Sequence, residues 1–176
     1  MAGFLSEILN NDIDEGFVEE DTQRGRYLTF LAGGRVYGLP IRFVDEIIGM
    51  QAATKVPETP DYVKGIVNRR GRIIPLIDMR LRFGMDETPS GRGACIIVAN
   101  VPPVVAGLIV DGVEDILRID DHQIELPPPA PAPGIEDRYV EGVYNTKGKA
   151  LLLLGADKLL PEEETESAAG AAQGTA

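Results

Sequence analysis

The sequence predicts an all-β protein: two small closed barrels with short helices, related by internal duplication. Three observations lead there. Short apolar runs rich in Val, Ile and Leu are separated by turn residues, with 20 Gly and 13 Pro in 176 residues. Two blocks of the first half recur in the second half, in the same order. The runs are too short for helices of ordinary length and are bounded by Gly, Asn and Pro.

The elements follow in order. Residues 1–26 carry seven acidic and two basic residues and form an acidic N-terminal extension, expected to be flexible. Within it, Phe4, Leu5, Ile8 and Leu9 could form a short amphipathic helix that docks on a partner; a frayed tail is the alternative. The folded body spans 27–160. Its first repeat, 27–84, opens with Tyr27 to Leu31, the turn Gly33-Gly34 and the run Arg35 to Leu39. Paired glycines suit a hairpin because each takes positive φ without steric cost. Next, Ile41, Val44 and Ile48 lie at helical spacing, which predicts one helical turn carrying the acidic pair Asp45-Glu46. A second hairpin follows, Val63 to Asn68 and Arg72 to Ile77, around Asn68-Arg69-Arg70-Gly71. Asn first and Gly fourth predict a type I turn. Met79 to Phe83 closes the repeat as a short helical segment, and 85–92 is the link.

The second repeat, 93–160, follows the same order. Gly107 to Ile116 aligns without gaps to Gly38 to Ile47, an offset of 69. Tyr139 to Lys149 aligns to Tyr62 to Arg72, an offset of 77, with Tyr, Val, Gly, Asn and Gly identical. The extra eight residues match Leu126 to Pro133, a Pro-rich insertion of polyproline character. Ala156 to Leu160 is the closing helical segment, and 161–176 an acidic tail expected to be disordered. Closure into barrels removes exposed strand edges. Units of this size bury little alone, so the two should pack together and share a core.

Charge and composition exclude several functions. The net charge of -11 lies mostly in the ends: residues 1–26 contribute -5, residues 161–176 contribute -4, and the body only -2. Such ends repel nucleic acid. Lys64, Arg69, Arg70, Arg72, Arg80 and Arg82 make a local basic cluster, but few aromatics interleave with it for base stacking. No apolar run is long enough to span a bilayer, and no secretory signal pattern is present. A single cysteine permits no intramolecular disulfide and fits a reducing compartment, so a cytoplasmic protein is expected.

The segments Tyr37-Gly38, Val44-Asp45-Glu46-Ile47, Lys64 to Gly71, Ile74 to Arg80, Val110 to Val113 and Asp157 to Leu160 resemble the CheW family, in order and with its spacings. The block from Asn68 to Arg80 is the specific one. The resemblance implies two tandem SH3-like, five-stranded barrels and no catalysis. It implies an adaptor that couples transmembrane chemoreceptors to a CheA-type histidine kinase. The expected partners are the cytoplasmic tips of the receptors and the kinase regulatory domain, with neither nucleic acid binding nor membrane insertion. A cytoplasmic adaptor of this kind is recruited to membrane-associated receptor arrays. By the same resemblance the receptor-binding residues are Arg70, Glu46, Val44, Gly65 and Gly71. Two positions depart from the family pattern: Arg69 replaces the usual Leu, and Pro40 stands where Asp is frequent.

Chemistry of other kinds finds little support. Asp45-Glu46 and Glu114-Asp115 are neighbours that point in different directions, which suits surface charge better than an acid–base dyad. Cys95 lies in an apolar run and reads as a buried structural thiol rather than a nucleophile. With His122 as the only histidine, no metal site is expected, and no cofactor motif is present. Arg70 suits recognition of carboxylates, with a purely structural turn residue as the alternative. The competing class is an enzyme or small-ligand binder using a pocket between the barrels.

Overall fold

The computed structural model describes residues 23–127 and 138–160. The candidate helix at 4–9, most of the Pro-rich insertion and the acidic tail lie outside the described residues.

The elements run β1 (Arg26–Ala32), β2 (Arg35–Pro40), a 3-10 turn (Ile41–Phe43), β3 (Val44–Gly49), β4 (Val63–Arg69), β5 (Arg72–Asp78) and α1 (Met79–Arg82). The second repeat gives β6 (Cys95–Val101), β7 (Val104–Val110), β8 (Gly112–Arg118), a 3-10 turn (Asp121–Gln123), β9 (Val140–Thr146), β10 (Lys149–Leu154) and α2 (Ala156–Leu159). Each repeat thus supplies five strands and one closing helix. The helical turn expected across Ile41, Val44 and Ile48 stops at Phe43. The acidic pairs stand instead on β3 and β8, because Val44, Ile47 and Ile48 bury themselves by strand pairing with β6.

The two five-stranded sheets are ordered β8-β1-β2-β10-β9 and β3-β6-β7-β5-β4. The chain does not finish one sheet before it starts the other. Each sheet takes the first hairpin of one repeat and the last three strands of its counterpart. The crossing occurs at Pro40 and the 3-10 turn in the first repeat and at Asp111 in the second. Parallel pairs seal the exchange: Gly38 faces Leu153 across β2 and β10, and Gly107 faces Leu76 across β7 and β5. A Cβ on Gly38 would sit 2.8 Å from Leu153 Cδ2, and one on Gly107 would sit 2.6 Å from Leu76 Cδ2. Glycine at both positions makes room for a core leucine.

Strand alternation then divides the apolar residues. On β6, Cys95, Ile97 and Ala99 join Leu28, Phe30, Tyr37 and Leu39 in the large core between the sheets. Ile96 and Val98 turn the other way, with Val67, Ile74 and Leu76, into a core under the second sheet. Ile119, Leu151 and Leu153 form the smaller equivalent under the first. Because β6 is buried on both faces, its sequence is a continuous apolar run without polar alternation. The shared core expected from unit size is present and draws on both repeats. Volume is balanced across it: Phe30 and Tyr37 stack at 5.7 Å where the repeat partners are Ala99 and Ala106. Deep burial pushes the Tyr37 phenol up to about 12.

Each sheet is bridged at its free end by the segment that follows its β3 or β8 edge. Thr54 pairs with Ile66 on β4, and Glu125 with Val143 on β9.

Candidate functional site

The β4–β5 hairpin carries the basic turn. Arg69 pairs with Arg72, which leaves only Arg70 and Gly71 in the loop. Both have positive φ, 55° and 77°, and Asn68 Oδ1 accepts a hydrogen bond from the Gly71 N–H at 3.1 Å. This is the signature of a two-residue type I′ turn, not the type I turn expected from Asn68 and Gly71. The primed turn matches the right-handed twist of the flanking strands, which an ordinary type I turn would splay. Lys147 and Gly148 repeat it in the second copy, at 48° and 75°.

Glu46 stands on β3, the opposite edge of the same sheet from β4. A bulge between Val44 and Glu46 makes Asp45 the extra residue and turns Glu46 toward the hairpin. Arg69 Nε donates to Glu46 Oε1 at 2.8 Å, and Arg69 Nη2 donates to Oε2 at 3.1 Å. Arg70 Nη2 approaches Oε2 only to 3.7 Å, and its side chain is 80% exposed, against 31% for Arg69 and 26% for Glu46. The Arg69 hydrogen bond holds the Glu46 carboxyl below the usual carboxylate range, assisted by the charges of Arg69 and Arg70 and opposed by burial.

The structure therefore brings Arg70 and Glu46 together, with Arg69 between their roles. Gly71 lies in the exposed turn. Val44 and Gly65 belong to the interior. Val44 is 7% exposed and packs in the shared core opposite Ala99, so its side chain presents no surface to a partner. Gly65 is buried at φ 144°, and a Cβ there would lie 2.4 Å from the Thr54 carbonyl oxygen. Its smallness admits the segment that bridges the sheet. The second copy has no comparable fork. Asp115, the counterpart of Glu46, accepts the Ile116 N–H at 2.8 Å, and Arg69 is replaced by Thr146.

The basic cluster read from the sequence is divided in space. Arg80 and Arg82 are 8% and 6% exposed and serve the interior. Arg80 Nε meets Asp111 Oδ1 at 3.1 Å, while Asp111 Oδ2 accepts the Gly33 N–H at 2.8 Å. That ties α1 to the first hairpin. Lys64 pairs with Glu87 in the link. Sequence reasoning passed over Arg69 as a partner of Glu46, because nothing local shows that β3 and β4 are the two edges of one sheet.

Cys95 is buried, and burial pushes its thiol up, away from nucleophilic use. Among the described residues no group of three or more His, Cys, Asp or Glu is arranged to hold a metal ion. Nor is any helix among them long and apolar enough to cross a membrane. An open cleft of about 370 Å³ lies beyond the end of β8, lined by Arg24, Gly25, Arg118, Ile119, Asp120 and Asp121. It is not between the sheets, where the competing ligand-binding reading would put its pocket.

Two interleaved five-stranded sheets with a charged turn at one edge define a double β-barrel module. The comparisons agree. The model of the CheW-like domain matches residues 26–164. The chain is 35% identical over 144 residues to the chemotaxis protein CheW of Klebsiella aerogenes, covering 82% of this chain and 86% of that one. It is 38% identical over 148 residues to the chemotaxis protein CheW of Rhizobium meliloti, covering 84% and 95%. The crystal structure of the scaffolding protein TtCheW from Thermoanaerobacter tengcongensis superposes with a TM-score of 0.72 at 34% identity, over 81% of this chain and 96% of that one. The chain belongs to the CheW family.

Proposed function

We propose that this protein is a non-enzymatic adaptor that couples transmembrane chemoreceptors to a CheA-type histidine kinase within a membrane-associated signalling array. The observation that carries the reading is the exposed Arg70 turn beside Glu46, on the edges of one rigid sheet. A guanidinium so placed can recognise a carboxylate or a carbonyl with directed hydrogen bonds. A turn between paired strands fixes its position better than a loop. The relatives' names support a chemotaxis scaffold. The receptor tip, a helical coiled coil, meets the exposed Arg70 turn. The kinase regulatory domain takes another sheet edge.

Co-sedimentation tests this. Receptor-containing membranes, the kinase and the full chain are mixed, and kinase autophosphorylation is followed in the pellet. The protein should be recruited with the kinase and change its activity, and Arg70→Glu should lose recruitment while remaining folded. Indifference of the kinase to the protein, together with wild-type recruitment of Arg70→Glu, would sink the reading.

A further inference from the structure

Three guanidiniums crowd the β4–β5 turn: Arg69 and Arg72 directly opposite each other, and Arg70 at the tip. Against them stands Glu46. Which guanidinium it neutralises is decided by geometry. A carboxylate has two oxygens, and Arg69 occupies both of those on Glu46 at 2.8 and 3.1 Å. Arg70 reaches the same group at one point only, 3.7 Å away, and is left largely in solvent. A planar fork on a carboxylate is the stronger arrangement, so Glu46 is committed to Arg69.

We propose that Arg69 is a positioning residue: it takes the Glu46 carboxylate out of the partner contact and leaves the Arg70 guanidinium to recognise a carboxylate on the partner helix. The proposal rests on the adaptor reading above, in which this turn meets the receptor. It changes that reading in one respect. Glu46 becomes an internal anchor instead of a contact residue, and the surface offered at the turn is cationic. The anchor has a second effect. It ties β3 to β4, the two edge strands of the sheet, and so steadies the turn that carries Arg70. No such tie exists in the second copy, where Thr146 and Asp115 occupy the equivalent places.

The test uses the full chain and a soluble cytoplasmic signalling fragment of a chemoreceptor, with affinity read by titration calorimetry and folding by circular dichroism. The variants are Glu46→Arg, Arg69→Glu, the double exchange Glu46→Arg/Arg69→Glu, and Arg70→Glu. Each single exchange at the clamp should weaken binding by about tenfold or more, because it brings like charges together beside Arg70 or diverts Arg70 to a freed carboxylate. The double exchange restores the pair with its polarity reversed and should return affinity to within about threefold of wild type.

A double variant as weak as Glu46→Arg alone would show that Glu46 itself touches the partner and would overturn the inference. Wild-type affinity in both single variants would overturn it too, since the clamp would then be irrelevant. If Arg70→Glu binds normally, the failure lies in the adaptor reading of this turn. A set of receptor fragments, each with one Asp or Glu changed to Lys, completes the test. One of them should rescue Arg70→Glu, and rescue by none rules out a carboxylate as the partner group. The Glu46 carboxyl resonance provides a readout independent of binding: its titration midpoint should rise in Arg69→Leu.

Discussion

Tyr62 and Tyr139 close on one guanidinium, that of Arg82, from two corresponding places in the repeats. Their ring centroids lie 4.3 and 5.1 Å from Arg82 Cζ. Arg82 Nη2 also reaches the Leu159 carbonyl at 3.4 Å, and Leu159 is the repeat counterpart of Arg82 itself. The contact thus lies where the two copies meet.

Arg82→Ala should lower unfolding free energy by roughly 2–4 kcal/mol, since it removes two desolvated cation–π contacts and opens a cavity. Arg82→Met keeps the stem packed against both rings and should cost about half as much. Urea denaturation followed by circular dichroism decides. Equal losses in the two variants would place the stabilisation in the charge and not in the packing.

Glycine at 65 and glycine at 71 serve different ends, and alanine should separate them. Gly65→Ala forces a Cβ to 2.4 Å from the Thr54 carbonyl oxygen and 3.0 Å from Ala53 Cβ, in backbone already at φ 144°. A loss of about 2–4 kcal/mol is expected, because backbone cannot step aside cheaply. Gly142→Ala meets the movable Ile124 Cγ2 at 2.5 Å and should cost less. Gly71→Ala meets nothing within 4 Å, so only its left-handed backbone is penalised, by about 1–2 kcal/mol. Thermal melts of the three variants should rank in that order.

Asp111 and Arg80 form a half-buried ion pair, with side chains 29% and 10% exposed. Asp111→Ala strands the buried guanidinium and frees the Gly33 N–H, at a cost of about 3 kcal/mol. Arg80→Leu together with Asp111→Ala should cost less than the two single changes summed, because the stranded charge is gone. A double-mutant cycle in urea measures the coupling, and strict additivity would contradict the pairing.

Glu46 makes stability depend on pH. Its folded carboxyl titrates below the ordinary range, chiefly through the Arg69 hydrogen bond. The folded state therefore binds that proton less readily than the unfolded state. The stabilisation is complete above the unfolded value and is lost as pH falls through the folded one. Glu46→Gln should remove this component. The gap between wild type and variant in chemical denaturation should be widest near neutral pH and should close on acidification below the usual glutamate range.

Much of the fold was legible in the sequence. The first and second hairpins of each repeat, the closing helices and the duplication follow from turn residues, run lengths and gap-free offsets, all of which are local. Strands β3 and β8 were harder to read. Ile41, Val44 and Ile48 satisfy helical spacing, but Val44 and Ile48 also satisfy strand pairing with β6, and only the partner strand breaks the tie. The turn type was misjudged for a related reason. Asn68 and Gly71 permit a type I turn, but the register of Arg69 against Arg72 leaves a two-residue loop that the strand twist drives to positive φ.

At the site, the sequence by itself determined which residues are present: a basic turn between two paired runs, an acidic pair before it, and glycines around the turn. Only the tertiary structure decided their use. Exchange of hairpins between the repeats makes β3 and β4 opposite edges of one sheet, which lets Arg69 reach Glu46 across 23 positions of chain. It also sends Arg80 and Arg82 inward, leaving Arg70 exposed at the turn. Such pairings depend on strand order, which follows from burying both faces of β6 and β7 between layers that the chain builds far apart in sequence.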